Sequence, residues 1–499
     1  MTLTLTQIQT ILEKENLLRE FITPAKWCLT APFEKNFQQL SYDSRQVDEN
    51  TLFFCKGNNF KQDYLEQALE QGLSVYIAEQ AYEVDAELAI IVHDIRKALA
   101  VLSMAFYDHP QEKLKIVGIT GTKGKTTTAY FAKKILDRSN GQKTALFSTL
   151  STTLDGITFF KSQLTTPESL ELYKMMHQAV GNGMTHLVME VSSQAYKVAR
   201  VYGLTFDVGI FLNISPDHIG PIEHPTFEDY FYCKRQLIAN SKKVVLQNET
   251  DHSDLLLEMA QQRNIPVITY GDMGADYHVE PLEHPLSFVL QAEADDLGLN
   301  GEYTIRLAGD FNKENASAAL IASRLVGADL ANAKKGLAEA LVPGRMNLLI
   351  KENGAHIYVD YAHNYLSMKT ILSFAKDNHP EGKLTVVTGS TGNKAESRRE
   401  GLGQAIGEFA DAAILTMDDS NFEDPKKIAD EIQEAIQNEQ VSVSYIEDRK
   451  RAILQAIEAA GPNDAVILAG KGTDNYMTLN GKDEFYEGDY VIVENYLNK

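Results

Sequence analysis

Cysteine is scarce: Cys28, Cys55 and Cys233 are the whole complement of 499 residues. They are odd in number, far apart and without CxxC spacing, which excludes a disulfide framework and a zinc ribbon. Reduced thiols in a cytoplasmic protein are the reading that fits. Positive charge is also short. Lys and Arg total 47 against 69 Asp and Glu, a formal net charge of −22. A general nucleic-acid binder needs clustered cations, so that class is excluded. The acidic excess serves solubility and says nothing of fold. No run of ~18 apolar residues occurs, so no membrane span is expected. The opening MTLTLTQIQTILEKENLL has neither a basic start nor a continuous apolar centre. It is therefore not read as a signal peptide. Its apolar Ile8, Ile11, Leu12 and Leu17/Leu18 predict an amphipathic helix. Repeats and low-complexity segments are missing too.

What is present is ordinary globular composition, 44% hydrophobic and 23% charged, and at roughly 150 residues per domain the length predicts about three domains. Residues 38–110 read as short strands (LSYDSR, TLFFCKG, LSVYIAE, AIIVHD) with helices near Leu65–Gln71 and Ile95–Phe106. The polar YDHPQEKLK is a linker. KIVGIT, TALFS, THLVMEV, DVGIFLN, KKVVLQN and VITYG then read as strands, short, apolar and β-branched. Between them helices are predicted at Thr126–Asp137, Ser169–Val180 and Thr226–Ala239. A β-rich excursion at 275–307 precedes a helix at Asn312–Leu325. A third block follows with strands HIYVD, KLTVVTG, AAILTMDD, VSVSYI and AVILAGKG. Alternating strands and helices imply an α/β fold of three domains. The expected boundaries are 1–112, 113–342 and 343–499, the middle domain a P-loop-type, mainly parallel sheet and the last Rossmann-like.

KIVGITGTKGKTTTAYFAKKIL is a strand, a glycine-rich loop and a helix. Gly121 and Gly124 let backbone approach an anion, and free N–H groups at the helix start point at phosphate oxygens. Lys125 supplies a point charge and the Thr126 hydroxyl suits Mg²⁺. Five residues, not four, separate Gly118 from Gly124, so the match to the standard phosphate loop is imperfect. A phosphate-binding segment is expected at Thr120, Gly121, Thr122, Lys123, Gly124, Lys125, Thr126 and Thr127.

TGTKGKTTT resembles the central loop of the Mur ligases. DSR (Asp43–Arg45), LTTPE (Leu164–Glu168), MEVSS (Met189–Ser193), NISPDH (Asn213–His218) and GDFNKENASAA around Asn312 agree with that family. VPGR (Val342–Arg345), DYAHN (Asp360–Asn364) and AGKG (Ala469–Gly472) complete the set, in order and over most of the chain. The resemblance is nearest to members that add the third amino acid to UDP-MurNAc-L-Ala-D-Glu. It implies a substrate domain, an ATPase domain and an amino-acid domain, with ATP and two Mg²⁺ ions as cofactors. It also implies a cytoplasmic monomer with small-molecule partners only.

Residue by residue, the resemblance implies that Glu190 and His218 bind Mg²⁺. It implies that Lys234, in the third turn of a helix opened by a Thr226/Asp229 capping-box pattern, is carbamylated and holds a second ion. Asn312 and Asn315 would lie near the adenine, although Asn is also a good N-cap. Arg345, Asp360 and His363 would hold the nucleotide from the third domain when the domains close. Ser44, Arg45, Thr165, Thr166, Ser192 and Arg200 would contact the UDP-sugar peptide. Two departures stand out: Val198 replaces a family Gln two positions before the Arg, and Tyr365-Leu366 follow DYAHN where an Asp and an apolar residue are usual.

The diaminopimelate-adding members carry DNPR, whose Arg pairs with the substrate's far carboxylate. Here the sequence is Asp418-Asp419-Ser420-Asn421, so a cation is lost and an anion gained. A side chain ending in ammonium is then favoured, because a buried charge mismatch costs several kcal/mol. L-lysine is the expected substrate, with L-ornithine and meso-diaminopimelate as alternatives. Gly470 and Asp474 of AGKGTD and Lys394 of TGNKAESRR fall on the amino-acid site. Lys394 stands where the family has an Arg for the α-carboxylate, and Arg398 or Arg399 could compensate. The expected reaction is amide formation through an acyl phosphate. Rival readings are a folylpolyglutamate synthetase-like ligase and a nucleotide-dependent switch without ligase chemistry.

Overall fold

The computed structural model describes residues 1–57, 60–217, 219–220, 223–343, 345–393, 397–472 and 474–498. His218 and Lys394 lie outside the described residues. The chain divides into two compact units. The first comprises Met1–Pro281, Phe288–Tyr303 and Lys313–Leu337; the second comprises Leu282–Ser287, Thr304–Asn312 and Ala338–Lys499. No described helix is long and apolar enough to cross a membrane.

The first unit holds two large sheets. The smaller has six strands in the order Trp27–Cys28, Leu18–Ile22, Leu88–Val92, Val75–Ala78, Thr51–Phe54 and Gln39–Ser41, parallel from Leu88–Val92 onward. The opening helix is shorter than its apolar pattern suggests, Leu5–Lys14. Thr4 caps it with Gln7 in a reciprocal capping box, and Asn16 turns left-handed at φ 54°. Leu18 is thereby released into a strand. Asn tolerates that conformation better than most residues, which is why the helix ends there rather than running on through Leu17.

The larger sheet has eleven strands. Lys115–Thr120 lies in its interior between His186–Glu190 and Val208–Phe211, in parallel register with both. Thr144–Phe147 extends the sheet on one side, and Val244–Gln247 and Val267–Gly271 on the other. Antiparallel strands pair at both margins of this parallel core, Ser151–Thr153 at one and Ser287–Gln291 at the other. Parallel strands covered by helices on both faces must be apolar throughout, and KIVGIT, buried from Ile116 onward, fits that rule. Chain direction across the sheet reverses beside Lys115–Thr120, so the loop after this strand opens at a topological switch point, where ligands of open α/β sheets gather. Gly118 belongs to this strand rather than to the loop. A Cβ there would meet the Phe206 ring at 2.5 Å, so its smallness serves packing.

The second unit has a six-stranded sheet ordered Asn347–Ile350, His356–Asp360, Ala465–Ala469, Leu384–Thr388, Ala412–Leu415 and Ser442–Tyr445, all parallel except the first. DYAHN, AGKG, TGNKAESRR and DDSN each follow the carboxyl end of one of these strands.

His356 and His379 pack edge to face at 4.6 Å between ring centres in this unit. Burial, then the neighbouring His379 and His284, push the His356 imidazole down from 6.5 to about 4. A base with a depressed folded-state pKa contributes stability above its unfolded value and loses it as pH falls. The second unit is therefore expected to lose stability between about pH 6.5 and 4. His356→Phe should flatten that slope in urea titrations across the range, and an unchanged slope would refute the assignment.

Candidate functional site

The phosphate-loop segment leaves Thr120 and enters the helix Lys125–Asn140. Gly124 takes φ 86°, and a Cβ there would lie 2.4 Å from the Asn315 side-chain oxygen. Only glycine meets both demands. A Cβ on Gly121 would press on Leu212 at 2.9 Å. Asn213 brackets the turn: Lys123 N–H donates to its Oδ1 (2.9 Å) and its Nδ2 donates to Lys123 C=O (3.2 Å). The Thr122 hydroxyl donates to Ser215 C=O (3.2 Å) and lies 3.1 Å from the Tyr230 hydroxyl. Thr120 turns inward and donates to Val191 C=O (2.9 Å), and the Thr127 side chain is also buried.

Two lysines converge on this loop. Lys125 Nζ donates to the carbonyls of Gly121 (2.8 Å) and Thr122 (3.1 Å). Lys234 Nζ donates to the same Gly121 oxygen at 2.8 Å. Lys234 sits on the helix Phe227–Ala239 and is only 2% exposed. Burial first, and then the Lys125 ammonium, hold its pKa well below the ordinary lysine value. Thr226 caps this helix by accepting from Asp229 N–H, as the capping pattern predicts. The Asp229 carboxylate, however, turns to Lys197 and His224.

Glu190 ends its strand fully buried. Its carboxylate accepts from the Thr126 hydroxyl (2.8 Å) and from Thr149 N–H and hydroxyl (2.9 Å each). Thr126 and Glu190 thus bring two hard oxygen donors together beside the loop, the donor chemistry that Mg²⁺ prefers. Thr149 was not singled out by the sequence reading. Its place in a run of Ser and Thr carries no distinguishing signal; only folding brings it to Glu190.

The LTTPE and MEVSS motifs meet next to it. The Thr166 hydroxyl donates to Glu190 C=O (2.9 Å) and accepts from Ser192 N–H (3.0 Å). Ser192 caps the helix Ser193–Lys197, and Thr165 accepts from the Thr149 hydroxyl. Arg200 Nε donates to Glu168 at 2.7 Å, and Lys56, from the smaller sheet's side of the unit, donates to the other oxygen of Glu168. Burial opposes the Glu168 charge, but Lys56 and Arg200 outweigh it and hold the carboxyl below the usual range. Ser44 and Arg45 are not in this cluster. Arg45 is 83% exposed and forks onto Asp43, holding that carboxyl down at about 2, while Ser44 C=O accepts from Gln71.

Asn312 and Asn315 are not N-caps. Their helix begins at Asp310, which places both inside it. Asn312 Nδ2 donates to Ala308 C=O (2.7 Å) and Asn315 reaches Gly124.

In the second unit, Asp360 accepts from Met346 N–H (2.7 Å) and Ala362 N–H (2.8 Å). Burial nevertheless raises its pKa. Arg345 is exposed, and His363 Nδ1 lies 2.6 Å from Tyr361 C=O. Asp418 is buried under Gly470, whose Cβ would lie 2.6 Å from its carboxylate. Asp419 is not a free anion. Lys471 Nζ donates to it at 2.9 Å and lies 3.6 Å from Asp474, which also accepts from the Tyr361 hydroxyl. Burial raises the Asp418 and Asp474 carboxyls alike. Lys471 was inside a quoted motif, AGKG, yet its partner lies 52 positions earlier and no spacing reveals it. Asn421 takes φ 52° and its side chain accepts from Gly481 N–H (2.8 Å), a turn role that Asn suits. Arg399 cannot stand in for the family arginine: it is buried on Glu423 (2.7 and 2.9 Å) and Glu431 (2.6 Å).

A Mur ligase middle-domain model matches residues 119–323, and a Mur ligase glutamate-ligase domain model matches 344–472. The UDP-N-acetylmuramoyl-L-alanyl-D-glutamate–L-lysine ligase of Enterococcus faecalis is 57% identical over all of both chains. The chain belongs to the Mur ligase family. The ligase of the same printed name from Streptococcus pneumoniae strain D39 is 50% identical to this chain over 98% of each. A solved UDP-N-acetylmuramoyl-L-alanyl-D-glutamate–2,6-diaminopimelate ligase superposes with a TM-score of 0.70 at 26% identity, covering 100% of this chain and 99% of that one. This Mur ligase is therefore an enzyme of the ligase class, α/β in fold as the sequence predicts.

Arg399→Leu should strand Glu423, a partly buried carboxylate that this arginine holds down at about 2. A loss of about 3–5 kcal/mol is expected by chemical denaturation. A change below about 1 kcal/mol would show that the pair is not structural.

Proposed function

We propose that this ligase joins L-lysine to the D-Glu side-chain carboxylate of UDP-MurNAc-L-Ala-D-Glu, with ATP hydrolysed to ADP and phosphate. The observation that carries the reading is full-length identity to relatives named for that reaction, together with DDSN in place of DNPR. The domain division proposed is 1–112 for the UDP-sugar, 113–342 for ATP and 343–499 for the amino acid. A cytoplasmic setting, where these substrates are made, accords with the reading.

The D-Glu carboxylate oxygen attacks the γ-phosphorus of ATP and ADP leaves. The lysine α-amine then attacks the acyl carbon, sheds a proton, and inorganic phosphate leaves. The Gly121–Thr127 amides cradle the phosphates, and Lys125 moves from the loop carbonyls onto the outer phosphate, where charge spreads in the transition state. Thr126 and Glu190 would hold Mg²⁺, with His218 and Lys234 assigned to the same task by resemblance. The ion would neutralise phosphate charge. Thr165, Thr166, Ser192 and Arg200 are assigned to the sugar peptide. Ser44 and Arg45 are assigned to its UDP end, Asn312, Asn315, Arg345, Asp360 and His363 to the nucleotide.

Lys234 is proposed to be carbamylated. Only a neutral amine attacks CO₂, and burial beside Lys125 favours that neutral form. Carbon dioxide adds to the neutral amine; the new N–C bond releases one proton and leaves an anion facing Lys125. For the amino acid, buried Asp418 and half-buried Asp419 and Asp474 gather around Lys471, with Arg449 4.0 Å from Asp418, and this carboxylate-rich cluster is suited to an incoming ammonium. Lys394 is proposed for the α-carboxylate.

Two measurements test this. With UDP-MurNAc-L-Ala-D-Glu and ATP, amide product should form with L-lysine at least about tenfold faster than with L-ornithine or meso-diaminopimelate, as a charge-matched pocket discriminates; preference for diaminopimelate would overturn the lysine reading. Lys234→Ala should lose on the order of 100-fold in kcat and regain part of it with added formate or acetate. Full activity of the unsupplemented variant would exclude the carbamate.

A further inference from the structure

His224 lies in the loop before the Lys234 helix, fully buried, at 0% exposure. Both ring nitrogens are engaged. Nδ1 lies 2.6 Å from the Asp229 carboxylate and Nε2 lies 2.9 Å from the Ser193 hydroxyl. Lys197 also pairs with Asp229 and keeps it ionised. An ionised carboxylate only accepts, so Nδ1 carries a proton toward Asp229, and Nε2 shares a hydrogen bond with the Ser193 hydroxyl. The edge of the imidazole meets the Tyr230 ring at 5.3 Å between centres, and the Tyr230 hydroxyl reaches Thr122 of the phosphate loop. His224 C=O also accepts from Gly220 N–H at 2.8 Å.

Each of these contacts ends on a different arm of the reaction centre. Ser193 is three residues beyond Glu190 and opens the helix after it. Asp229 is on the Lys234 helix, five residues before that lysine. Tyr230 leads to the loop that both lysines touch. We infer that the Ser193–His224–Asp229 chain is a positioning device, which sets Lys234 against Glu190 and the phosphate loop. Of its three members only Ser193 falls in a quoted motif, at the end of MEVSS, and the inference rests on the assignment of Glu190 and Lys234 as the groups that hold the ion.

Cys233 comes within 4.8 Å of His224 and Asp229, so the same residues could be read as a metal cluster. One observation opposes that. Ligands of one tetrahedral zinc stand roughly 3.3 Å apart, given zinc–donor bonds near 2.0 Å, whereas His224 and Asp229 are at 2.6 Å. Nor is Ser193 read as a nucleophile: it is buried at the helix start and its hydroxyl is engaged with His224.

The test compares His224→Phe, Ser193→Ala, the double variant and His224→Asn. His224→Phe should lower kcat by about 10- to 100-fold, the range seen when groups supporting a ligand are lost. The KM values of ATP and the UDP-substrate should stay within about threefold, while the Mg²⁺ concentration for half-maximal rate rises by about tenfold. Ser193→Ala should cost less and add nothing to His224→Phe, because one chain is broken only once. His224→Asn, which keeps a donor toward Asp229, should recover part of the rate. An unchanged kcat with only a lower melting temperature would overturn the proposal, as would additive losses. One equivalent of bound zinc that His224→Phe abolishes would overturn it in favour of the metal cluster. If His224→Phe does not fold, Ser193→Ala decides alone: it leaves the His–Asp bond intact, and an unchanged kcat and Mg²⁺ dependence refutes the device. Lys234→Ala tests the underlying assignment separately.

Discussion

Lys125 and Lys234 both donate to one oxygen, the carbonyl of Gly121. Two ammonium groups at one acceptor, one of them buried, would repel each other where water screens little, and burial together with the Lys125 charge holds the Lys234 pKa down. That repulsion is the constraint on which the proposed anions, nucleotide phosphates and a carbamate on Lys234, depend. The loop geometry belongs to the same constraint, because the carbonyl can face both lysines only if Gly121 and Gly124 adopt backbone that other residues resist.

Around this point the protein uses neutral hydroxyls to hold charged groups. Thr126 and Thr149 donate to Glu190, Thr166 ties the Glu190 carbonyl to Ser192, and Ser193 reaches His224. Hydroxyls fix a carboxylate's direction without cancelling its charge, so the group stays an effective ligand for a hard cation. The second unit works differently. There Asp418, Asp419 and Asp474 lie around Lys471, and carboxylate and ammonium meet directly, the Asp419 charge being met by Lys471.

The phosphate loop, the strand–helix alternation and the motif string were legible in the sequence because each is local. A loop of two glycines followed by GKT, an apolar run of six residues and an N-cap Thr226 all declare themselves within a few positions. The same locality misled where local rules compete. Leu17 and Leu18 continue an apolar pattern, yet Asn16 ends the helix. Asn312 looks like a cap, yet the helix has already begun at Asp310. Gly118 looks like the first glycine of a phosphate loop, yet it is a strand residue packed on Phe206.

By itself the sequence determined the class of fold, the position of the glycine-rich strand–loop–helix and the family. These depend on periodicity, on glycine's conformational freedom and on residue order. Only the tertiary structure decided which charges meet. Glu190 finds Thr149 41 positions away, Lys471 finds Asp419 52 positions away, and His224 joins Ser193 to Asp229. Hydrogen bonds and ion pairs act over a few ångströms, and separations of that length along the chain carry no periodic trace.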